Sequence, residues 1–126
     1  MMEIRQLTKA EEEVMQILWK IGEGTVKDIL DGFVEKQPAY TTVATVLKVL
    51  KKKEVVDNRA VGNTYIYYPQ ITKEDYSSFQ MKHLLNNYFG GSFKRLATFF
   101  AKDNNMDLDE LEFMLKESES KNKPNN

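Results

Sequence analysis

The stretch AYTTVATVLKVLKKKEVV, residues 39–56, sets three threonines ahead of four lysines, with aliphatic residues between them. A threonine hydroxyl can donate or accept a hydrogen bond, and its methyl can pack against the methyl of thymine. Lysines in later turns of the same helix suit the phosphate backbone beside a groove. At helical spacing Thr41, Thr45, Lys48 and Lys52 share one stripe, while Val43, Val46, Leu47 and Leu50 lie opposite. Thr42 and Val49 flank that stripe on one side, and Ala44 and Lys51 on the other. Small side chains let the helix start near Tyr40 come close to a surface, where its first-turn N–H groups suit a phosphate. Tyr40, Thr41, Thr42, Thr45, Lys48 and Lys52 are therefore candidate contacts of a helix read into the major groove of DNA.

Taken alone, a run of three lysines is more often the mark of a solvated face than of a DNA contact, and Thr41 could serve only as a helix cap. The surrounding charge weighs against both readings. Residues 1–35 hold four basic and eight acidic side chains, a net of −4. Residues 36–69 hold Lys36, Lys48, Lys51, Lys52, Lys53 and Arg59 against Glu54 and Asp57, a net of +4. The rest is close to neutral at −1, and so is the whole chain at −1. A segregated positive block centred on one helix suggests a local anionic contact that the total conceals.

Other chemistries find little support. The chain has no cysteine, which excludes disulfides and thiolate metal sites. His83 is the single histidine and sits among Met81, Leu84 and Leu85, where a structural role is expected. Glu11, Glu12 and Glu13, and again Asp107, Asp109 and Glu110, stand at helix starts, where carboxylates favour the helix dipole. With no glycine-rich phosphate loop and no nucleophile–base pair, neither an enzyme nor a cofactor is expected. The N-terminus is charged rather than apolar and no run approaches the roughly 20 apolar residues of a membrane span, so a cytoplasmic protein is expected.

The elements that must hold the stripe are well marked. Thr8 with Glu11 forms a capping-box signature ahead of Val14, Ile17, Leu18 and Ile21, and Gly22 and Gly24 end that helix. Thr25 with Asp28 repeats the signal for a second helix over 26–36, closed before Pro38. The quoted helix is third. The period then becomes two in VVDNRAVGNTYIYYP, with Gly62-Asn63 as a turn, which predicts strands near 55–60 and 64–68. Three helices and a hairpin are the order of a winged helix-turn-helix domain over residues 1–69. Arg59 and Asn63 then lie on and at the tip of the wing, where flanking backbone would be met, although Asn63 by itself is ordinary turn chemistry.

Residues 70–118 read as three more helices, opened by Thr72 with Asp75, by Ser92, and by Asp107 with Glu110. The polar residues 119–126 read as a disordered tail. The fold class is mostly α, a winged-helix domain followed by a helical dimerisation region. Tyr76, Phe79, Leu84, Tyr88, Phe89, Phe93, Leu96, Phe100, Leu111 and Leu115 are expected at the dimer interface, because so few helices cannot cover that much apolar surface alone.

In combination, LTKAEEEVMQILWKIGEGTVKDIL, AYTTVATVLKVLKKKEVV and RAVGNTYIYYP resemble the BlaI/MecI penicillinase-repressor family, which includes CopY-type copper repressors. The resemblance runs over about residues 4–118 and includes YFGGSFKRLATFFAK. It implies a homodimeric repressor that binds dyad-symmetric operators, joined through its C-terminal helices, with recognition positions at Thr41, Thr42, Thr45 and Lys48. CopY-type members carry a C-terminal cysteine metal site, and this chain has no cysteine, so sensing of copper or zinc is not expected. Penicillinase repressors are relieved by cleavage of an Asn-Phe bond after the GG pair; the matching residues here are Phe99 and Phe100. Relief by a partner protein is implied, such as a membrane sensor-protease or another antirepressor. The rival reading is a winged helix that binds only protein, which would not need the Thr41–Thr45–Lys48–Lys52 stripe.

Overall fold

The structure, a computed structural model, describes residues 4–122. Reciprocal caps start the first two helices. The Thr8 N–H donates to Glu11 at 2.8 Å and the Glu11 N–H donates to the Thr8 hydroxyl at 3.2 Å, opening α1 (Lys9–Ile21). Thr25 and Asp28 do the same for α2 (Val26–Asp31). This second helix is shorter than the expected 26–36. Gly32 ends it, packed so closely on α1 that a Cβ there would lie 2.4 Å from Ile17. The Leu30 carbonyl there accepts from the Phe33 N–H at 3.1 Å and from the Gln37 side chain at 2.8 Å, which closes the end of the helix.

Next come α3 (Tyr40–Lys52), the antiparallel strands β1 (Val56–Val61) and β2 (Thr64–Pro69), and α4 (Lys73–Tyr88). The hairpin pairs Val56 with Pro69 through to Val61 with Thr64, and Gly62 takes the positive φ of 61° that its tight turn demands. Gly24 forms an isolated antiparallel bridge to β2, exchanging hydrogen bonds of 2.9 and 2.8 Å with Tyr67. Met15, Leu18, Ile29, Val43, Leu47, Leu50 and Val56 close a single core from α1, α2, α3 and β1.

The chain divides into two compact units between Gln80 and Met81. A boundary after Pro69 would instead strip the first core of Ile71 and Tyr76, both buried in it. Tyr76, expected at a dimer interface, is buried in this core. Its hydroxyl accepts from the Leu7 N–H and donates to Glu12, each at 3.0 Å, and its ring lies 5.9 Å from both Trp19 and Phe79. Phe79 is half-buried against the same core. The expectation for both rests on apolar surface that the C-terminal helices could not cover alone; the first core covers Tyr76, and its hydroxyl bonds Leu7 and Glu12.

The second unit holds the end of α4, α5 (Phe93–Asp103) and α6 (Leu108–Asn122). α6 thus continues into the stretch expected to be a disordered tail, and residues 123–126 lie outside those described. Ala101 and Leu111 are buried where α5 meets α6, yet Phe93, Leu96, Phe100 and Leu115 line an open apolar groove beside them.

Two features fix the end of α3. Glu11, 4% exposed, accepts from the Lys53 ammonium with both carboxylate oxygens at 2.9 Å, joining the start of α1 to the end of α3. Burial pushes the Glu11 carboxyl up, but hydrogen bonds from Lys53 and from the Thr8 N–H, with the Lys53 charge, bring it below its ordinary 4.5. Beyond Lys53, Glu54 adopts a left-handed φ of 64°. The Val55 N–H then reaches the Leu50 carbonyl at 2.9 Å and the Glu54 N–H that of Lys51 at 3.0 Å, a Schellman motif with glutamate where glycine is favoured.

Glu54→Gly should relieve that conformation, and after the entropy glycine costs, it should stabilise the first unit by up to about 1 kcal/mol. Thermal unfolding should show a higher midpoint, and a lower one would contradict the motif. Lys53→Met leaves a buried carboxylate uncompensated and should cost about 1–3 kcal/mol at neutral pH. Because Glu11 has a lowered folded pKa, its pairing stabilises above 4.5 and is lost as the pH falls through the folded value. Urea titrations should therefore show the Lys53→Met deficit shrinking in acid; a deficit independent of pH would refute this pairing.

Candidate nucleic-acid interface

The N-terminus of α3 is capped by the backbone of Ala39, with no side chain engaged. Thr41 is not the cap. Its side chain, with those of Tyr40, Thr42, Thr45, Lys48 and Lys52, lies on the exposed side of the helix, while Val43, Leu47 and Leu50 are buried and Val46 is half-buried. Val49, on the flank of the stripe, is 40% exposed. The Thr45 hydroxyl donates to the Thr41 carbonyl at 2.8 Å. Its proton is thereby used within the helix, leaving the oxygen to accept and the methyl to make apolar contact.

The lysines divide by partner. Lys53 is drawn back to Glu11, and Lys51 reaches β1, donating to Asn58 at 3.0 Å with Asp57 at 3.9 Å. None of the ion pairs among the described residues involves Lys48 or Lys52. The two lysines on the threonine stripe are therefore the ones left to an outside anion. Spacing alone could place Lys52 on that stripe, but only the folded chain reveals what engages its neighbours.

On the wing, Asn63 is exposed at the tip beside Gly62. Arg59 is also exposed but not free. Its two terminal nitrogens donate to the two carboxylate oxygens of Glu23 at 3.0 and 2.6 Å. The hydrogen bond from Arg59 holds the Glu23 carboxyl below its usual range. Sequence reading missed Glu23, since no local pattern signals a contact between the turn after α1 and β1.

In the second unit Tyr88, Phe93, Phe100 and Leu115 are exposed, Leu84 is 38% exposed, and Leu96 and Phe89 are half-buried. Leu111, by contrast, is 8% exposed and buried within its own unit. Phe99 is exposed and its ring sits 5.6 Å from that of Phe89. Phe113 and Met114 add exposed apolar surface absent from the expected set; Phe113 lies off the stripe shared by Leu108, Leu111 and Leu115. Asn87 hydrogen-bonds the His83 ring at 3.0 Å. Among the described residues, no cluster of three or more His, Cys, Asp or Glu is placed to hold a metal ion. No helix among them is long and apolar enough to cross a membrane.

Comparison with known proteins adds a lineage to this geometry. The chain is 29% identical over 120 residues to a penicillinase repressor of Staphylococcus aureus, covering 92% of this chain and 95% of that protein. Against a penicillinase repressor of Bacillus licheniformis the identity is 25%, over 98% of this chain and 99% of that one. Among solved structures, the DNA-binding domain of the repressor BlaI superposes with a TM-score of 0.52 at 28% identity, covering 60% of this chain and 94% of that domain. Monomeric Bacillus licheniformis BlaI in complex with the blaP half-operator gives a TM-score of 0.50 at 28% identity, over 60% and 94%. The family of these repressors is one of transcriptional regulators, not enzymes. Its model, the penicillinase repressor, matches residues 7–119, and the chain belongs to that family.

Proposed function

We propose that the protein is a DNA-binding transcriptional repressor that reads the major groove with the exposed stripe of α3. The observation that carries this reading is the division of cations at the end of α3. Lys51 and Lys53 are engaged by partners within the chain, whereas Lys48 and Lys52 stand on the same face as Thr41 and Thr45. Tyr40, Thr41, Thr42 and Thr45 would meet base edges and nearby phosphates, and Lys48 and Lys52 the backbone. Asn63 would touch the backbone from the wing. A relative solved in complex with a half-operator supports binding to DNA.

The finer reading is a homodimer on a dyad-symmetric operator, acting in the cytoplasm. Tyr88, Phe93 and Phe113, at 75%, 60% and 66% exposure, support association through residues 81–118. A two-fold pair would present its recognition helices to half-sites about one helical turn, or a multiple, apart. Relief would come from a protein, a membrane sensor-protease or another antirepressor, rather than from a metal. Cleavage at Phe99-Phe100 would require α5 to unwind locally, because both residues lie within that helix.

Titration onto random duplexes and onto sequences selected from a random library tests the stripe. Lys52→Ala should weaken all duplexes alike and lower the salt slope by about one unit. Thr45→Ala should narrow the gap between selected and random DNA by about 1–3 kcal/mol. A Thr45→Ala/Lys48→Ala protein that binds as tightly as its parent would sink the assignment. Sedimentation equilibrium at micromolar concentration should report a dimer; a monomer that still grips the full operator tightly would remove the two-fold arrangement.

A further inference from the structure

The guanidinium of Arg59 and the carboxylate of Glu23 meet fork to fork, the geometry in which arginine also grips a phosphate. The pair lies where DNA would pass, if the reading of α3 above holds. Lys51 of α3 reaches Asp57 and Asn58 of β1, so β1 starts beside the last turns of that helix. By strand alternation Arg59 projects from the same face as Asp57, one step nearer the wing tip. Both partners are half-exposed, at 50% and 51% of their side chains, so solvent and a polyanion can reach them.

Glu23 is held there by its neighbours. Gly22 turns the chain with a φ of 87°, and Gly24 is tied to Tyr67 by two hydrogen bonds. A Cβ at Gly24 would come within 2.9 Å of both Asp28 and Ile21, so the backbone on this side has no slack. An exposed ion pair adds little to stability. Its larger consequence is for charge, because duplex binding at low specificity is driven by the cations that replace counterions. A guanidinium already matched to a carboxylate replaces none.

We propose that Glu23 is a specificity-determining residue, an internal stand-in for a DNA phosphate that occupies Arg59 and keeps the wing from strengthening non-specific duplex binding. Removing the carboxylate hands Arg59 to the DNA backbone; removing both charges restores the neutral wing. The pair thereby limits the sequence-independent part of the affinity and leaves selection to α3.

The test is the salt dependence of full-length protein binding to a random duplex between about 50 and 200 mM salt, for the parent, Glu23→Gln and Glu23→Gln/Arg59→Ala. Glu23→Gln should bind about two- to fivefold tighter, with a slope steeper by about 0.9. The double variant should return to the parent's slope. Thermal melts of both variants should match the parent within a few degrees, since the pair is exposed. A parent that binds duplex while Glu23→Gln binds no tighter overturns the inference alone. So does a double variant whose slope falls about one unit below the parent, because Arg59 would then already contact phosphate in spite of Glu23. A parent that binds no duplex at low salt overturns the underlying DNA-binding reading as well.

Discussion

The buried contact between Glu11 and Lys53 sets the geometry on which the exposed stripe depends. One carboxylate, almost fully enclosed, caps the start of α1 through Thr8 and receives the ammonium that follows α3. A carboxylate so enclosed is tolerated only when paired and hydrogen-bonded, and this one has both kinds of partner. With the end of α3 tied to α1 and its inner face packed on Met15, Leu18 and Ile29, the rotation of the helix is fixed. Its threonines and outward lysines are then held on one side by the packing of the opposite face.

The segregation of charge along the chain acquires a different meaning in the fold. The acidic first block and the basic second block meet in two pairs, Glu11 with Lys53 and Glu23 with Arg59. Lys51 is engaged by Asp57 and Asn58 within the second block. Half of the six cations in residues 36–69 are thus matched internally, leaving Lys36, Lys48 and Lys52. The outward field at α3 is narrower than the local net of +4 suggests. A narrow field favours reading over adhesion, because each unmatched cation strengthens binding to every sequence alike.

The architecture was legible in the sequence wherever a local signal sufficed. Thr8 with Glu11 and Thr25 with Asp28 marked helix starts that the structure reproduces, and Gly62-Asn63 marked the hairpin turn. The outward face of α3 followed from periodicity alone. Illegible were features made by long-range contact. Position 32 has no room for a side chain because of Ile17, Tyr76 belongs to the first core because of Leu7 and Glu12, and Arg59 is occupied because of Glu23. Nor could the lysine run be sorted from spacing, since the partners of Lys51 and Lys53 come from other elements. Local chemistry defined the candidate site, and distant residues decided which of its charges are available.

Whether α3 and the wing tip form the surface that meets DNA can be read from backbone amides by NMR during titration with a short random duplex at low salt. The largest shifts should fall on Tyr40 to Thr45, on Lys48 and Lys52, and on Asn63, while buried residues such as Met15 and Leu18 stay nearly still. Shifts concentrated in residues 81–118, with α3 unaffected, would contradict it.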